Sequence, residues 1–463
     1  MSVCRGLLLT LVVSFVPAIS TADELTIRNQ QLSVTVRKQG GAYEIRAKAA
    51  ENPVIRSLVA AQINHRWIKS NEYPQHRVVR SSFQDVLGHG EQLTVALSGL
   101  PGRPNLQYIL RLYDQLPFGY VKVQVQNQTR RTMTIEAIRS LEAFGEPMID
   151  LGARESFVRV LSDGFTENDV QIHKLGQDPQ GLYRAVGSQL IYNRDSKQSV
   201  FFGGMTASRF LTIMHLQAQT SQGEPRISSY TIDSTGTTEI HAPIKWFRQL
   251  PKEDQIELSL PLAPGTSMDS EDLMFASGTD YHAQLEAYGA AIRQLHHARV
   301  SSRNLMGWWS WTAHYDTINE GKLNTNARWL AQHLKASGYD FFHIDDGYQY
   351  SRGEYTTPNA AQFPHGMQPL TRDISQLGLN VGLWVALLEV DQRAAICEKH
   401  KDWFVHNAKG KPIRLNVERE IGPFFVLDPI NQEHRSTSAR LIERWLRIGE
   451  YVISNSISWT IRP

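Results

Sequence analysis

Apolar and polar positions alternate in short runs from about residue 24 to about residue 275. Leu25-Thr26-Ile27-Arg28, Leu32-Ser33-Val34-Thr35-Val36 and Tyr43-Glu44-Ile45-Arg46 show the pattern. So do Leu93 to Leu97, Tyr108 to Leu112, Tyr120 to Val125 and Met133 to Ile138. A period of two buries one face of a strand. Segments 199–204, 207–215, 226–233 and 255–261 add further strands, and clusters such as Gly99-Leu100-Pro101-Gly102 separate such runs. Many short strands with no long helix between them predict a large β-sandwich.

Near Asp280 the period changes. Leu285, Tyr288, Ile292 and Leu295 follow helical spacing, which predicts a helix over 279–297. Beyond Asn304 strands and helices alternate. Leu305 to Trp309 reads as a strand. Asn319 to Ser337 reads as a helix, with Leu323, Ala327, Leu330 and Leu334 on one face and Gly338 placed to stop it. Phe341 to Ile344 is the next strand, and Asp345-Asp346-Gly347 its exit. Leu370, Ile374 and Leu377 mark a second helix ending at Gly378. Leu379 to Val385 is a third strand, Phe424 to Leu427 a further extended segment, and Leu441, Trp445 and Ile448 belong to another helix. Repeated strand–helix units imply a parallel sheet or barrel. The domain plan is therefore a leader at 1–22, a β-sandwich at 23–278, a linking helix at 279–300 and the start of a strand–helix domain at 301–463.

Composition narrows the function classes. The 463 residues are 41% hydrophobic and 20% charged, with a net charge of +2. That is an ordinary globular balance, and it argues against a nucleic-acid surface or a polybasic membrane patch. Arg5 followed by the apolar stretch Gly6 to Val16, then Ala18-Ile19-Ser20 or Ser20-Thr21-Ala22, reads as a secretory signal and predicts a secreted or periplasmic protein. No later segment has 18 uninterrupted apolar residues, so no membrane span is expected. With only Cys4 and Cys397, no internal disulfide is expected after loss of the leader.

Candidate chemistry concentrates at the ends of the predicted parallel strands, where a (β/α)₈ barrel keeps its function. Trp309 and Trp311 follow the first strand, Asp345 and Asp346 the second and Trp384 the third. Aromatic faces and paired carboxylates suit a carbohydrate, whose C–H faces stack on rings and whose hydroxyls donate to carboxylates. Asp-Asp-Gly is equally a turn or a helix cap. Trp311 fits sugar stacking or core packing, whereas Trp308, Trp329 and Trp445 read as core. Glu389, Asp391 and Asp428 read by default as caps or surface charges. The 16 histidines form no recognisable triad or zinc motif, so no metal and no cofactor is expected. Adjacent carboxylates are poorly placed as the acid and nucleophile of a glycosidase, which face each other across the scissile bond. A substrate clamp suits them better.

Gly307-Trp308-Trp309-Ser310-Trp311, Ser337-Gly338-Tyr339, Ile344-Asp345-Asp346-Gly347-Tyr348-Gln349, Phe363-Pro364-His365-Gly366-Met367 and Gly382-Leu383-Trp384 stand in the order and spacing of α-galactosidases. The chain resembles glycoside hydrolase family 36, with family 27 as a relative. The motif match covers 303–449, and over 24–300 the likeness is architectural. The resemblance implies a β-sandwich before a (β/α)₈ barrel that is incomplete here. It also implies retaining hydrolysis of terminal α-galactosides without a metal. Asp345 and Asp346 would bind galactose hydroxyls, with Trp311 stacking on the sugar and Trp384 at the same rim. Tyr348 stands where the family more often has Trp. The family's nucleophile, an Asp in a Lys-x-Asp pattern on the fourth strand, and its acid/base on the sixth are expected beyond Gly449. Instead the chain continues Glu450-Tyr451-Val452-Ile453-Ser454, which leaves a frameshift near Gly449, an early stop and a gene-boundary error as alternatives. The chain is therefore expected to be catalytically inactive. The rival reading is a non-catalytic galactoside-binding protein or relic. Transglycosylase and α-N-acetylgalactosaminidase activities, and the oligomeric state, stay open.

Overall fold

The computed structural model describes residues 24–48, 50–163, 170–236, 257–300, 304–407, 409–415, 424–433, 435–436 and 452–453. The leader at 1–22, the helix around Leu441 to Ile448 and most of the stretch after Gly449 lie outside the described residues. The chain divides into two compact units, one comprising Met1–Arg248 and Ile256–Arg299, the other Gln249–Gln255 and Val300–Pro463.

The first unit is built from two ten-stranded antiparallel sheets. One runs in the order Glu24–Arg28, Leu32–Arg37, Tyr43–Ala47, Ile55–Ile63, Met133–Ala143, Glu224–Thr235, Leu211–Ser221, Leu182–Val186. The other has Phe118–Gln126, Asn105–Tyr113, His89–Ser98 and Gln75–Gln84 at one side, with Leu273–Gly278, Ser199–Gly204, Ser188–Asn193, Val158–Ser162 and Gln171–Lys174 continuing it. The period-two positions of both sheets fall into one core. Val34, Val36, Tyr43 and Ile45 from the first pack with Val95, Tyr108, Leu110 and Val123 from the second. The Tyr43 and Tyr108 rings lie 6.0 Å apart, and Tyr108 donates to the Gly41 carbonyl at 3.0 Å. A buried phenol needs such a partner. These are the sandwich-like sheets that the alternation predicts.

The helix near Asp280 spans Tyr281–Leu295, and its first turn is capped by the Asp280 carboxylate accepting from Ala283 N at 3.0 Å. It is seated on a sheet of the first unit. Leu285, Tyr288 and Ile292 pack with Phe201, Met274 and Ala276, and Tyr288 donates to the Gly204 carbonyl at 2.7 Å.

In the second unit a four-stranded parallel sheet runs in the order Gly307–Trp309, Phe341–Ile344, Asn380–Leu383, Val452–Ile453. Gly307 has no substitute there, because a Cβ would lie 1.6 Å from the Phe341 carbonyl oxygen. Helices Glu320–His333 and Met367–Gln376 bury Leu323, Ala327, Leu330, Leu370 and Ile374 against Phe342, Ile344, Val381 and Leu383. Gly338 and Gly378, at φ 93° and 76°, end the two helical segments in the left-handed conformation that glycine adopts without cost. Among the described residues the parallel strands do not close into a barrel. Phe424–Val426 lies outside this sheet. It pairs antiparallel with Glu389–Asp391 and Arg414–Leu415.

Two tryptophan expectations part company. Trp308 stacks on Phe342 with centroids 4.6 Å apart, against the core of the second unit. Trp329, read as core, is instead 53% exposed and lies flat on His333 one helical turn away. Its place on the helix is offset from the Leu323–Ala327–Leu330 stripe, so the stripe and not the residue type decides its burial.

Candidate functional site

The second parallel strand ends at Ile344, and Asp345 and Asp346 follow it in a turn. Strand alternation therefore no longer applies to them, and both are buried, at 4% and 6% exposure. Gly347 makes the turn possible. It has φ 112°, and a Cβ there would lie 2.7 Å from the Asp316 carbonyl oxygen. Tyr348 is fully buried behind the turn and donates to the Trp384 carbonyl at 3.1 Å. This ties the exit of the second strand to that of the third.

Asp345 is held from three sides. Its Oδ2 accepts from Trp309 Nε1 at 2.5 Å and from His343 Nε2 at 3.3 Å, and its Oδ1 accepts from Asp346 N at 2.8 Å. Its own N–H donates to Ser310 Oγ at 2.8 Å. Burial pushes the Asp345 carboxyl up. The hydrogen bonds from His343, Asp346 N and Trp309 outweigh that and hold it below the usual aspartate range, so it is an anion.

Asp346 has separate partners. Gln349 Nε2 donates to Oδ1 at 2.5 Å, and Arg352 donates to Oδ2 from Nη2 at 2.7 Å and from Nε at 3.2 Å. Arg352 also pairs with Glu389. Its guanidinium lies 5.0 Å from the Trp384 ring centroid and 4.3 Å from that of Phe424. Burial alone would lower the Arg352 pKa, but the charges of Asp346 and Glu389 raise it. A cation with carboxylates on two sides and aromatic faces beside it is oriented before any ligand arrives.

The geometry thus brings Asp345, Asp346 and Trp384 into one network. Trp311 sits beside it in sequence, directly after Ser310, in the short helix Ser310–His314, and packs edge-on to Tyr315 at 5.2 Å. Glu389 is neither cap nor plain surface charge, since it holds Arg352. Asp391 is 1% exposed and pairs with Arg393, and its carbonyl accepts from Cys397 Sγ at 3.1 Å. Burial and the Asp391 charge raise that thiol to about 11. Asp428 does cap a turn, accepting from Ile430 N at 2.9 Å. Sequence reasoning missed Arg352, Gln349 and His343 as members of the site. His343 could have been found, because it lies on the strand that leads into Asp345, two residues before it. Arg352 is in an irregular loop and carries no such signal. Among the described residues no group of three His, Cys, Asp or Glu side chains is arranged to hold a metal ion.

Such an arrangement can accept hydrogen bonds from neighbouring hydroxyls at two fixed anionic edges. The family model described as Melibiase matches residues 290–423. Alpha-galactosidase C of Emericella nidulans is 23% identical over 314 residues, which are 61% of this chain and 38% of that protein. Alpha-galactosidase AgaA of Geobacillus stearothermophilus is 31% identical over 104 residues, 21% of this chain and 14% of that one. Among solved structures, the α-galactosidase from Lactobacillus brevis superposes with a TM-score of 0.60 at 14% identity, covering 92% of this chain and 62% of that one. AgaA superposes with a TM-score of 0.59 at 14% identity, covering 93% and 64%. Variants of AgaA have been solved with raffinose and with stachyose. The chain thus spans less than two thirds of the length of these relatives. Over residues 290–423 the chain is thus similar to the Melibiase family, and its fold is that of solved α-galactosidases, those of glycoside hydrolase family 36 among them.

Proposed function

We propose that this chain carries the galactose-recognising strand ends of a retaining α-galactosidase, secreted or periplasmic, whose parallel strands belong to a (β/α)₈ plan. The observation behind this reading is the pair of adjacent buried carboxylates at the exit of the second parallel strand, each fixed by its own protein donors. Two carboxylates held in this way clamp neighbouring hydroxyls of one sugar ring through charge-assisted hydrogen bonds. Trp311 supplies a stacking face, and Trp384 keeps Arg352 against Asp346.

The same contacts assign Asp345 and Asp346 to binding rather than bond cleavage. Retention needs two carboxyls facing each other across the glycosidic bond, roughly 5–5.5 Å apart, one of them free to attack. Asp345 and Asp346 are neighbours in one turn and are each occupied as acceptors. This chain by itself therefore binds terminal α-galactose without hydrolysing it.

Calorimetric titration with galactose, alongside turnover of 4-nitrophenyl α-galactoside, tests both parts. Saturable galactose binding that is lost in Asp345→Ala, with no turnover, is the expected result. Turnover abolished by the same substitution would replace the binding-only reading with an active enzyme. Failure to bind galactose or any α-galactoside would remove the site.

A further inference from the structure

A second concavity is formed wholly by the first unit. Arg159, Lys174, Arg194 and Lys197 converge on a space of about 410 Å³, which they share with Asp195, Ser156 and Phe157. Arg159 and Lys174 stand directly opposite each other on antiparallel strands. Like charges in that register destabilise a sheet. Among the described residues none of the four cations has a carboxylate within ion-pair distance. In the same unit Arg37, Arg56, Arg66, Arg80, Arg111 and Arg139 are each paired with one. The cradle is also fixed. Arg159 Nη1 donates to the Val158 carbonyl at 2.9 Å, and Ser196 Oγ donates to the Leu151 carbonyl at 2.5 Å. In the turn that carries Arg194 and Lys197, Arg194 N donates to the Phe157 carbonyl at 3.1 Å. With four cations against the single carboxylate of Asp195, the concave surface focuses a net positive field on an anion.

The concavity does not end there. A space of about 350 Å³ shares Ser156 and Lys174 with it and runs past Gln177 and Thr220 to Glu224 and Pro225. A third, of about 720 Å³, shares Glu224 and Pro225 and adds Arg154, Arg226, Glu146 and Glu155. The trough is thus cationic at one end and polar with mixed charge along the rest. A uniformly charged polymer such as a nucleic acid would meet Glu146, Glu155 and Glu224. An extended ligand with its anionic group at one end would not.

We propose that this trough binds an acidic oligosaccharide. Its anionic residue lies among Arg159, Lys174, Arg194 and Lys197, with a ring face against Phe157, and its neutral sugars run past Gln177 and Thr220. The anion is a carboxylate or a sulfate ester, and the experiment separates the two.

The full chain is titrated by calorimetry at low salt with a trisaccharide of two galactoses and one terminal galacturonate, a singly sulfated galactotriose, uncharged galactotriose and inorganic sulfate. One or both charged trisaccharides bind about tenfold or more tighter than galactotriose and sulfate, the worth of one charge-assisted contact. The tighter of the two identifies the anion, and both affinities fall as salt rises. The double variant Arg159→Gln/Lys174→Gln loses about tenfold in affinity or more, with a melting temperature unchanged or higher. Asp345→Ala leaves this binding intact, so the result is independent of the galactose site. Equal affinity for galactotriose, equal affinity for sulfate alone, or undiminished affinity in the double variant would overturn the proposal.

Discussion

Removing the Arg352 guanidinium leaves the buried Asp346 carboxylate with Gln349 as its side-chain donor and takes a partner from Glu389. Breaking a buried ion pair from one side costs about 3 kcal/mol. Arg352→Met should therefore lower the urea midpoint of the second unit by that equivalent, whereas Arg352→Lys, which keeps the charge without the planar fork, should lose less. An unchanged midpoint in Arg352→Met would show that the network does not stabilise the fold. Asp345 makes a prediction about pH. Its folded-state carboxyl sits below the ordinary value of about 3.9, so its stabilising contribution is complete above that pH and fades as the pH falls through the folded-state value. Stability measured from pH 6 to pH 2 should thus fall less steeply at the acid end in Asp345→Asn than in the parent. At this scale the carboxylates and tryptophans of the site could be read from the chain, because residue type and position after a strand are local information. Arg352 and Glu389 could not, since they lie 37 residues apart and only the fold joins them.

Elements were legible wherever one face is wet and the other dry. Leu32–Arg37, the stretch from Leu93 to Ser98 and the stretch from Asn105 to Leu112 keep strict alternation because their outer faces meet solvent or polar neighbours. Ile55–Ile63 has no clear alternation, since Val59, Ala60 and Ala61 are all buried. Gln75–Gln84 has no fully buried residue at all and is an edge strand whose apolar residues, Val78, Val79 and Phe83, do not alternate. The first three parallel strands are only three or four residues long, so glycine and aromatic spacing marked them better than hydrophobic period did. That spacing makes a sharp prediction. Gly347→Ala puts a methyl group against the Asp316 backbone at a left-handed φ, which costs about 1–3 kcal/mol and moves the turn that carries both carboxylates. Galactose affinity measured by calorimetry should drop by tenfold or more, while circular dichroism of the sheets stays unchanged. Retained affinity would mean that the turn is not what sets the clamp.

At the scale of the molecule, each unit has its own core, and the first is the larger, with two sheets contributing to one apolar interior. Residues 24–299 produced alone should be soluble and melt in a single cooperative transition in differential scanning calorimetry. Broad, non-cooperative melting would show that the sandwich depends on the rest of the chain. The sandwich was readable as a class because so many strands repeat the same two-residue rhythm. The antiparallel sheet that takes Phe424–Val426 was not, because extended conformation says nothing about which neighbour a strand selects. Cys397 adds a consequence of its own. With its thiol raised to about 11 and donated to the Asp391 carbonyl, it is almost wholly protonated at neutral pH and should react sluggishly with alkylating reagents. Labelling then proceeds mainly through molecules in which that contact has opened. The rate of thiol modification, followed by mass spectrometry, becomes a clock for breathing of this region, and a galactoside that steadies the neighbouring loops should slow it.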